Sequence, residues 1–392
     1  MTIDALIVDA LRTPTGRGRT GGALAEIHPV DLLAQALTAL VERSGIDPGE
    51  VDDVLIGCVS QTGEQSATPG RMAWLAAGYP VHVPATTIDR KCGSSQQAVH
   101  FAAQGILSGV YDMVIAGGIE SMSRVPMGSA RAGADPFGPT VTARYSPGLV
   151  SQGVAAELVA AKFGASREAQ DEYAARSHHL AAAASAAFER EIVPVTTPDG
   201  TMVERDETPR PDTTTDRLAG LKPVFETPEL AARFPQVNWS VTAGNSSQIS
   251  DAASLVLMVS ERKARELGLE PRARVHAMAA VGDDPLLMLT APIPATEKIL
   301  ARSGMQLDQL DHFEVNEAFA PVPLAWQGHF NLDIERVNPR GGAIALGHPL
   351  GASGTRLLTT MLHALEDNRQ RYGLQVMCEA GGMANATIIE RL

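Results

Sequence analysis

Short apolar runs alternate with longer stretches of helical periodicity near both ends of the chain. The segment 5–10 is apolar at all positions but one and predicts a buried strand. Within 30–43, apolar side chains recur every three or four residues, at Leu33, Leu37 and Leu40, which predicts a helix packed along one face. Further strands are predicted at 52–59, 83–88 and 111–118, and further helices at 67–78 and after Cys92. This order predicts an α/β fold whose strands are covered on both faces.

The middle of the chain is richer in polar residues, proline and glycine than the segments on either side. It contains one long helix-like run at 166–192, in which His178 and His179 are expected to be solvated. We interpret this part as an inserted loop domain, after which the α/β pattern resumes. The predicted domains are an N-terminal α/β half (1–119 plus 246–269), the inserted loop domain (120–245) and a C-terminal α/β half (270–392).

The two α/β halves resemble each other in sequence. Three pairs of segments match in the same order at a spacing of 259 to 261 residues: 45–58 with 304–317, 92–98 with 351–357, and 111–118 with 372–379. The second pair aligns Ser94 with Ser353. A duplication of this kind predicts two halves related by a pseudo-twofold axis. It also predicts that the helices after Cys92 and after Gly351 lie side by side in the centre.

Composition and charge narrow the class of protein. The chain has 392 residues, 44% hydrophobic and 20% charged, which is an ordinary globular balance. The net charge of −13 argues against a general nucleic-acid or anionic-membrane surface. Three cysteines without regular spacing argue against a disulfide scaffold, and no apolar run approaches the ~18 residues of a membrane span. We therefore expect a cytoplasmic, reduced protein.

The candidate chemistry lies at the ends of predicted elements. Cys92 stands at a helix start, where the macrodipole favours a thiolate. His348 lies in a glycine-rich loop that enters another helix, and an imidazole there is suited to accept a proton. Cys378 ends a predicted strand and is followed by a glycine turn. Asn316 comes directly after another, earlier strand-like run. Cys58, in mid-strand, is expected to be structural.

Several motifs together resemble the thiolase family of acetyl-CoA acyltransferases. The motifs are LRTPTGRGRTGG (11–22), CGS (92–94), GGIESMS (117–123), TAGNSSQISDAA (242–253), NEAFA (316–320), GGAIALGHPLGASG (341–354) and CEAGG (378–382). The resemblance covers nearly the whole chain. It implies a thiolase fold of duplicated five-layer αβαβα halves with an inserted loop domain.

The resemblance also implies a reaction. A thiolase cleaves 3-ketoacyl-CoA with coenzyme A to acyl-CoA and acetyl-CoA, or runs the Claisen condensation in reverse, by a ping-pong mechanism through an acyl-cysteine, here Cys92. His348 takes the proton of Cys92, and Cys378 serves as acid/base for the carbon–carbon step. One oxyanion hole uses His348 and a water held by Asn316; the other uses the backbone N–H groups of Cys92 and Ala380.

Coenzyme A is a co-substrate in this interpretation, and no covalently bound cofactor or metal is expected. The resemblance places Ser247 at the pantetheine, Arg217 and Lys222 at the phosphates or adenine, and Phe319 and Met288 at the acyl end. The segment 151–153 stands where short-chain members carry His-Met-Gly, which leaves room for longer or bulkier acyl groups. The expected partners are CoA and acyl-CoA thioesters, with a homotetramer built as a dimer of dimers.

Two positions depart from the family pattern. Ser95 stands where the family usually has glycine, and its hydroxymethyl group is expected to narrow the pocket. Ala380 stands in place of the first glycine of the CxGGG pattern, and alanine resists a positive φ. Neither change removes a reacting group.

Other interpretations of the same residues remain open. A decarboxylating ketoacyl synthase has the same fold but needs two histidines beside its cysteine. An inactive acyl-CoA-binding homologue would account for the departures at Ser95 and Ala380. A zinc site lacks CxxC or HxxxH spacing, and the glycine-rich run at 341–354 lacks the Gly-Lys-Ser/Thr of a P-loop.

Overall fold

The computed structural model describes residues 4–392. The strands are β1 Ala5–Arg12, β2 Gly16–Arg17, β3 Asp53–Gly57, β4 Ala85–Ile88, β5 Met113–Ser121, β6 Val195–Thr196, β7 Met202–Val203, β8 Ser250–Ser260, β9 Ala273–Gly282, β10 His312–Val315, β11 Tyr372–Glu379 and β12 Met383–Arg391. The α-helices are α1 Pro29–Ser44, α2 Pro69–Ala76, α3 Ser94–Leu107, α4 Gly138–Arg144, α5 Gln152–Phe163, α6 Arg167–Ala183, α7 Ser185–Phe188, α8 Thr215–Ala219, α9 Pro228–Arg233, α10 Glu261–Leu267, α11 Pro292–Ser303, α12 Pro321–Phe330, α13 Ala343–Leu346 and α14 Ser353–Asp367. Short 3-10 turns occupy 48–50, 63–65, 129–131, 307–309 and 334–336.

The main sheet consists of two similarly built halves. The first half has the order β1-β8-β5-β3-β4, and the second has the order β9-β12-β11-β10. In both halves the first two pairings are antiparallel and the next is parallel. The parallel β3–β4 pair has its counterpart in a single parallel bridge between Phe313 and Val337. The halves meet where β1 pairs with β9 over two residues, Leu6 with Arg274 and Ile7 with Ala273.

Matching side chains in the two halves make matching contacts. The Asp52 carboxylate accepts two backbone N–H groups at the start of β5, at 2.6 and 3.0 Å. Asp311 does the same at the start of β11, at 2.8 and 2.9 Å. Gly45 and Gly304 both end their helices in the left-handed conformation, with φ of 65° and 72°, which glycine adopts without strain. The structure therefore has the duplication that the sequence spacing predicts.

Helices α3 and α14 form the central layer, as predicted. A Cβ at Gly354 would overlap Gln96, so the close contact between the two helices at this position requires glycine. Helix α14 is buried over 353–365 and contacts strands of both halves. Helix α1 covers the outer face of the first half and α11 that of the second, which gives five layers of α, β, α, β and α.

The segment between β5 and β8 carries helices α4–α9 and the two-stranded β6–β7 sheet. The single helix predicted over 166–192 is wrong, because the chain turns at Ala184, which separates α6 from α7. Helix α6 packs against α8 and α13, while α5 packs against α12. The limits of the three domains stay a prediction.

The expectation that His178 is solvated is also wrong. His178 lies on the buried face of α6, where its Nδ1 accepts the backbone N–H of Arg210 at 3.1 Å. Burial, with a smaller contribution from the Arg210 charge, lowers the pKa of His178 to about 4. Its neighbour His179 is exposed, as predicted.

Candidate active site

Cys92 lies in the turn between β4 and α3, one residue before the helix N-cap Gly93. Its side chain is 3% exposed and packs with Met122, Leu350 and Met377. Burial raises the pKa of Cys92, and the charges of Cys378 and Glu379 raise it further. The side-chain amide of Gln152, at the start of α5, opposes these effects by stabilising the thiolate. The thiol therefore needs a base before it can react as a nucleophile.

His348 lies between α13 and α14 in the glycine-rich loop. Gly347 has a φ of +84°, and a Cβ there would overlap Ser250, so the turn that carries the histidine requires glycine. The His348 backbone N–H donates to Gln248 O at 2.9 Å. Burial, with a smaller contribution from the Arg356 charge, lowers the pKa of His348 to about 3, so the ring is neutral.

Hydrogen bonding assigns the tautomer of this ring. His348 Nδ1 lies 2.6 Å from Ser353 Oγ, and that hydroxyl donates to Pro349 O at 2.9 Å. A hydroxyl has one proton to give, so Ser353 Oγ accepts from Nδ1–H. The proton of the neutral ring is therefore on Nδ1, and Nε2 carries a lone pair. Nε2 is buried and has no hydrogen-bond partner within the described residues, as expected of a base that awaits its proton.

Cys378 lies near the end of β11 and is fully buried beside Met288, Leu289 and Ala318. Asn316 Nδ2 donates to Cys378 Sγ at 3.7 Å, a normal distance for a weak bond to sulfur. Burial raises the pKa of Cys378 to about 11, and this bond from Asn316 opposes the rise. Asn316 Oδ1 has no partner within residues 4–392.

These elements converge at one end of the central layer. The end of β11, which carries Cys378, lies against the Cys92 turn: Met377 packs with Cys92, and a Cβ at Gly93 would overlap Glu379. His348 lies in the loop that leads into α14. The first turn of α14 packs against the first turn of α3, where the Thr355 N–H donates to Ser95 Oγ at 3.0 Å. The structure thus gathers all three candidates from sites far apart in sequence. Cys58 lies in a separate outer core, and all three cysteines are free thiols.

The strand connection after Cys378 explains the alanine at position 380. Gly381 and Gly382 have φ values of +91° and +75°, whereas Ala380 is outside the left-handed region. A Cβ at Gly382 would also crowd the carbonyls of Asp283 and Asp284. Both residues that need a positive φ are therefore glycine, and alanine at 380 is compatible with its backbone conformation.

The effect of Ser95 on the pocket stays a prediction, but the structure gives its hydroxyl a defined partner. Ser95 is fully buried, and its Oγ accepts the N–H of Thr355 in the first turn of α14. The hydroxyl thus satisfies one of the free N–H groups that every helix start presents. Ser95 is a helix cap between the two central helices.

Glu317, next to Asn316, has a hydrogen-bonding role. Its carboxylate accepts from four donors at 2.7 to 3.1 Å: Tyr173 Oη, Ser177 Oγ, Asn338 Nδ2 and the Ile344 N–H. These donors belong to α6, to the segment before α13 and to α13 itself. Glu317 therefore joins the inserted segment to the loop that leads to His348.

The residues predicted at CoA lie along a neighbouring surface. Ser247 is half-buried, and its N–H donates to Ala318 O at 3.0 Å. Arg217 is exposed and paired with Asp212, and Lys222 is exposed. Leu218 and Leu221 of the same segment pack so closely against Gly244 that a Cβ there would overlap both side chains. This contact brings the segment beside the Ser247 loop.

The predicted acyl-end residues lie nearer the cysteines. Phe319 is half-buried and contacts Phe225 edge to face, with ring centroids 6.1 Å apart. The Phe225 ring covers Gly153, next to Gln152, so closely that a Cβ at Gly153 would overlap it. Met288 belongs to the same apolar cluster as Cys378.

Comparisons with known proteins agree with this geometry. The family model "Thiolase, N-terminal domain" matches residues 5–262, and "Thiolase, C-terminal domain" matches residues 269–391. The chain belongs to the thiolase family. It is 49% identical to the steroid 3-ketoacyl-CoA thiolase FadA6 of Mycobacterium tuberculosis over 99% of this chain and 94% of that one. It is 44% identical to a 3-ketoacyl-CoA thiolase of Pseudoalteromonas translucida, over 99% and 98% of the two chains.

A solved structure gives the same result for the fold. The Bacillus anthracis acetyl-CoA acetyltransferase superposes on this thiolase with a TM-score of 0.89 and 37% identity, covering 100% of this chain and 99% of that one. The thiolase resemblance, the duplicated fold and the acyltransferase class predicted from the sequence are confirmed. The chain is a thiolase, an enzyme of CoA-dependent thiolytic cleavage.

Sequence reasoning missed two contacts of this thiolase site. Ser353 appeared only as the repeat partner of Ser94, and that pairing was the available signal for a hydroxyl at the start of the second central helix. Glu379 appeared only as the variable residue of the CxGGG pattern. Nothing along the chain signals its proximity to Gly93, because that contact depends on how β11 packs against α3.

Among residues 4–392, no helix has both the length and the apolar composition that a bilayer crossing requires. No three side chains of the His, Cys, Asp or Glu type cluster there in a way that would hold a metal ion.

Proposed function

We propose that this thiolase works through Cys92 as acyl acceptor, His348 as its base and Cys378 as the acid/base of the carbon–carbon step. The single observation that carries the proposal is the convergence of these groups at the N-terminal ends of α3 and α14. The neutral His348 ring with a free Nε2 supports the assignment of the base. The Asn316 contact to sulfur supports a second reactive thiol at Cys378.

In the first half-reaction, His348 Nε2 takes the Cys92 proton and the thiolate attacks the 3-keto carbonyl. The bond between C2 and C3 then breaks, and the acyl group stays on Cys92. The electron pair on C2 of the departing acetyl-CoA takes the Cys378 proton, which leaves a thiolate at Cys378. A carbanion needs an acid in place as it forms, and a buried thiol with a raised pKa holds its proton until then.

In the second half-reaction, coenzyme A enters and the Cys378 thiolate takes the proton of its thiol. The CoA thiolate attacks the acyl-Cys92 carbonyl, acyl-CoA leaves, and Cys92 recovers its proton from His348. All proton donors and acceptors then return to their initial states. Both half-reactions need a leaving group that is also a nucleophile, which is why sulfur suits this position better than oxygen.

Negative charge develops on a thioester or ketone oxygen in each step. We infer two binding positions for it, one at the backbone N–H groups of Cys92 and Ala380 and one at His348 with an Asn316-held water. The Ala380 N–H donates to no backbone carbonyl in the turns and loops of residues 4–392, which supports the first position. One such donor typically lowers the barrier by ~3 to 4 kcal/mol.

For coenzyme A we propose Ser247 at the pantetheine and Arg217 with Lys222 at the phosphates or adenine. Their shared surface beside the Gly244 loop supports this placement. Phe319 and Met288 would line the acyl end. The Mycobacterium tuberculosis relative is named a steroid 3-ketoacyl-CoA thiolase, and we propose that this thiolase accepts longer or ring-bearing acyl groups as well as short ones.

We further propose a cytoplasmic homotetramer, a dimer of dimers. Light scattering of the purified protein tests the assembly, and a monomer would contradict it.

The mechanism is tested by mass spectrometry of the Cys92 peptide after incubation with acetyl-CoA. The wild-type enzyme and Cys378→Ala should both carry an acetyl group on Cys92, but Cys378→Ala should fail to form or cleave the carbon–carbon bond. Cys92→Ser should lose turnover, and Cys58→Ala, a buried thiol in another core, should retain it. An acetyl group on Cys378 in place of Cys92, or normal turnover of Cys92→Ser, would refute the assignment.

The substrate proposal needs a separate experiment. Thiolysis rates are measured for 3-ketoacyl-CoA substrates from four carbons to steroid size. A rate constant confined to the four-carbon substrate would contradict the proposed breadth.

A further inference from the structure

Glu379 ends β11 on the face opposite to Cys378. Alternate residues of this strand face the central helices: Gln375 Nε2 donates to Gly354 O at 2.7 Å, and Met377 packs with Cys92. Glu379 continues this row, so its carboxyl group lies against the turn that carries Cys92. A Cβ at Gly93 would overlap Glu379 Oε1, which shows how closely they approach.

The carboxyl group of Glu379 lacks the partners that other buried carboxyl groups of this thiolase have. Glu379 is fully buried, and neither Oε1 nor Oε2 has a hydrogen-bond partner of normal geometry within the described residues, although the backbone N–H of Asn385 acts on the carboxyl group and lowers its pKa. Glu317 and Glu120, which are equally buried, each accept four hydrogen bonds. A buried carboxylate without donors is costly, so the protonated form of Glu379 is favoured.

The charged and titratable groups near Glu379 come from several elements. They are Arg90 in the turn before α3, Cys92 and Cys378. His100, further along α3, is buried and neutral, with its pKa lowered to about 3 by burial and by Arg90. Burial raises the pKa of Glu379 to about 8, while Arg90 acts in the opposite direction. The negative charge of Glu379 raises the pKa of both cysteines.

We propose that Glu379 is a positioning residue for the reaction, and that its own ionisation controls how readily Cys92 and Cys378 give up their protons. While Glu379 is protonated, β11 adds no negative charge beside the Cys92 turn, whose own carboxylate, Asp89, is paired with Lys91 at 2.6 Å, and a thiolate forms without repulsion from Glu379. When Glu379 ionises, its charge opposes a thiolate at either cysteine. The proposal rests on the proposed roles of the two cysteines, but the test below reads thiol reactivity and does not depend on turnover.

The test is the rate of Cys92 alkylation by iodoacetamide between pH 6.5 and 9.5, followed by mass spectrometry of the Cys92 peptide. In the wild-type enzyme, the logarithm of the rate should rise with pH and flatten to a slope below one as Glu379 ionises. In Glu379→Gln, which keeps the shape and removes the charge, the slope should stay at one. Alkylation of this variant should be about tenfold faster than wild type at pH 9 and similar at pH 6.5, a change equivalent to one pKa unit.

The matched control is Glu157→Gln. Glu157 is also a buried carboxyl group with a raised pKa, but it lies on α5, is hydrogen-bonded to Ser240 and Val241, and affects neither cysteine. Its profile should superimpose on that of the wild-type enzyme. Glu379→Leu, which also removes the charge, should reproduce Glu379→Gln.

Several outcomes would overturn the proposal. One is a Glu379→Gln profile that coincides with wild type; another is slower alkylation of that variant at pH 9. If neither Glu379 variant folds, as judged by thermal unfolding, the wild-type profile decides, and a slope of one throughout overturns the proposal. If alkylation behaves as expected while Cys92→Ser remains active, the proposed catalytic roles fail and the electrostatic coupling stands.

Discussion

Ser353 Oγ lies 2.6 Å from His348 Nδ1 and donates its own hydrogen bond to Pro349 O. Its repeat partner Ser94 makes a similar bond in the first half, where Oγ donates to Lys91 O at 2.5 Å. The duplicated halves thus share a serine at the start of each central helix, but only the second serine orients an imidazole. This bond fixes the tautomer that leaves Nε2 able to accept a proton.

Ser353→Ala should therefore impair catalysis while the site stays folded. Without the acceptor at Nδ1, the ring loses its fixed tautomer and orientation. We expect kcat to fall about 10²-fold, the lower end of what a general base contributes. Steady-state thiolysis with a pH profile measures this. Thr359→Val is the control, because Thr359 Oγ1 makes a similar bond to Thr355 O at 2.8 Å in the same helix. A kcat within twofold of wild type for Ser353→Ala would contradict the assigned tautomer.

Ser95→Ala should reduce stability and leave catalysis intact. The substitution leaves the buried Thr355 N–H without its acceptor, which costs about 1 to 2 kcal/mol of unfolding free energy. The thiolysis rate should stay within twofold, since the hydroxyl faces α14. Urea unfolding and a rate assay measure the two effects. Ser108→Ala, at the exposed end of the same helix, should change neither. A changed substrate range in Ser95→Ala would show that the residue does shape the pocket.

The sequence predicted the fold well wherever the two halves repeat. Residues 259 positions apart end equivalent helices, make the equivalent Asp52 and Asp311 contacts and begin the two central helices. They do so because both halves pack the same elements in the same way. Irregular segments were harder: the end of α6 at Ala184 has neither glycine nor proline to mark it. The polar residues around His178 in the sequence suggest a solvated position, although its side of α6 faces the interior.

For the site, the sequence located residues at element ends but not the contacts between elements. His348 follows a glycine that its turn requires, Cys92 precedes a glycine, and Cys378 lies three residues before a Gly-Gly turn; such positions are visible in a motif. The roles of Ser95 and Glu379 depend on partners hundreds of residues away, Thr355 in one case and Gly93 in the other. Contacts of this kind between distant segments can be read only from the three-dimensional structure.

The buried His100 should make the stability of the fold depend on pH in the acid range. Burial first, then Arg90, lowers the native pKa of His100 to about 3, below the unfolded value of ~6.5. The neutral ring therefore contributes its full stability above about pH 6.5, and this contribution is lost as the pH falls towards 3 because the unfolded chain binds the proton. His100→Gln removes that proton uptake and keeps a group for the Thr387 Oγ1 contact at 2.8 Å.

Urea unfolding at pH 7, 6 and 5 measures the difference. Below pH 6.5 the wild-type enzyme should lose up to about 1.4 kcal/mol per pH unit more than His100→Gln. His179→Gln, on an exposed position of α6, should follow wild type. Parallel pH dependence of wild type and His100→Gln would show that the buried ring takes up its proton in the native state.

The Glu379 carboxyl group occupies the space that a side chain at position 93 would need. A double-mutant cycle can measure the coupling between the two positions. The backbone of Gly93 has a φ of −88°, which alanine tolerates, so Gly93→Ala should be harmful only because its Cβ overlaps Glu379 Oε1. We expect a loss of about 1 to 3 kcal/mol in unfolding free energy. Glu379→Ala in the same chain should recover more than half of it. Gly105→Ala, in the helix that Gly93 caps, overlaps Tyr111 instead, so Glu379→Ala should not rescue it. Additive losses for Gly93→Ala and Glu379→Ala would place the carboxyl group away from the Cys92 turn.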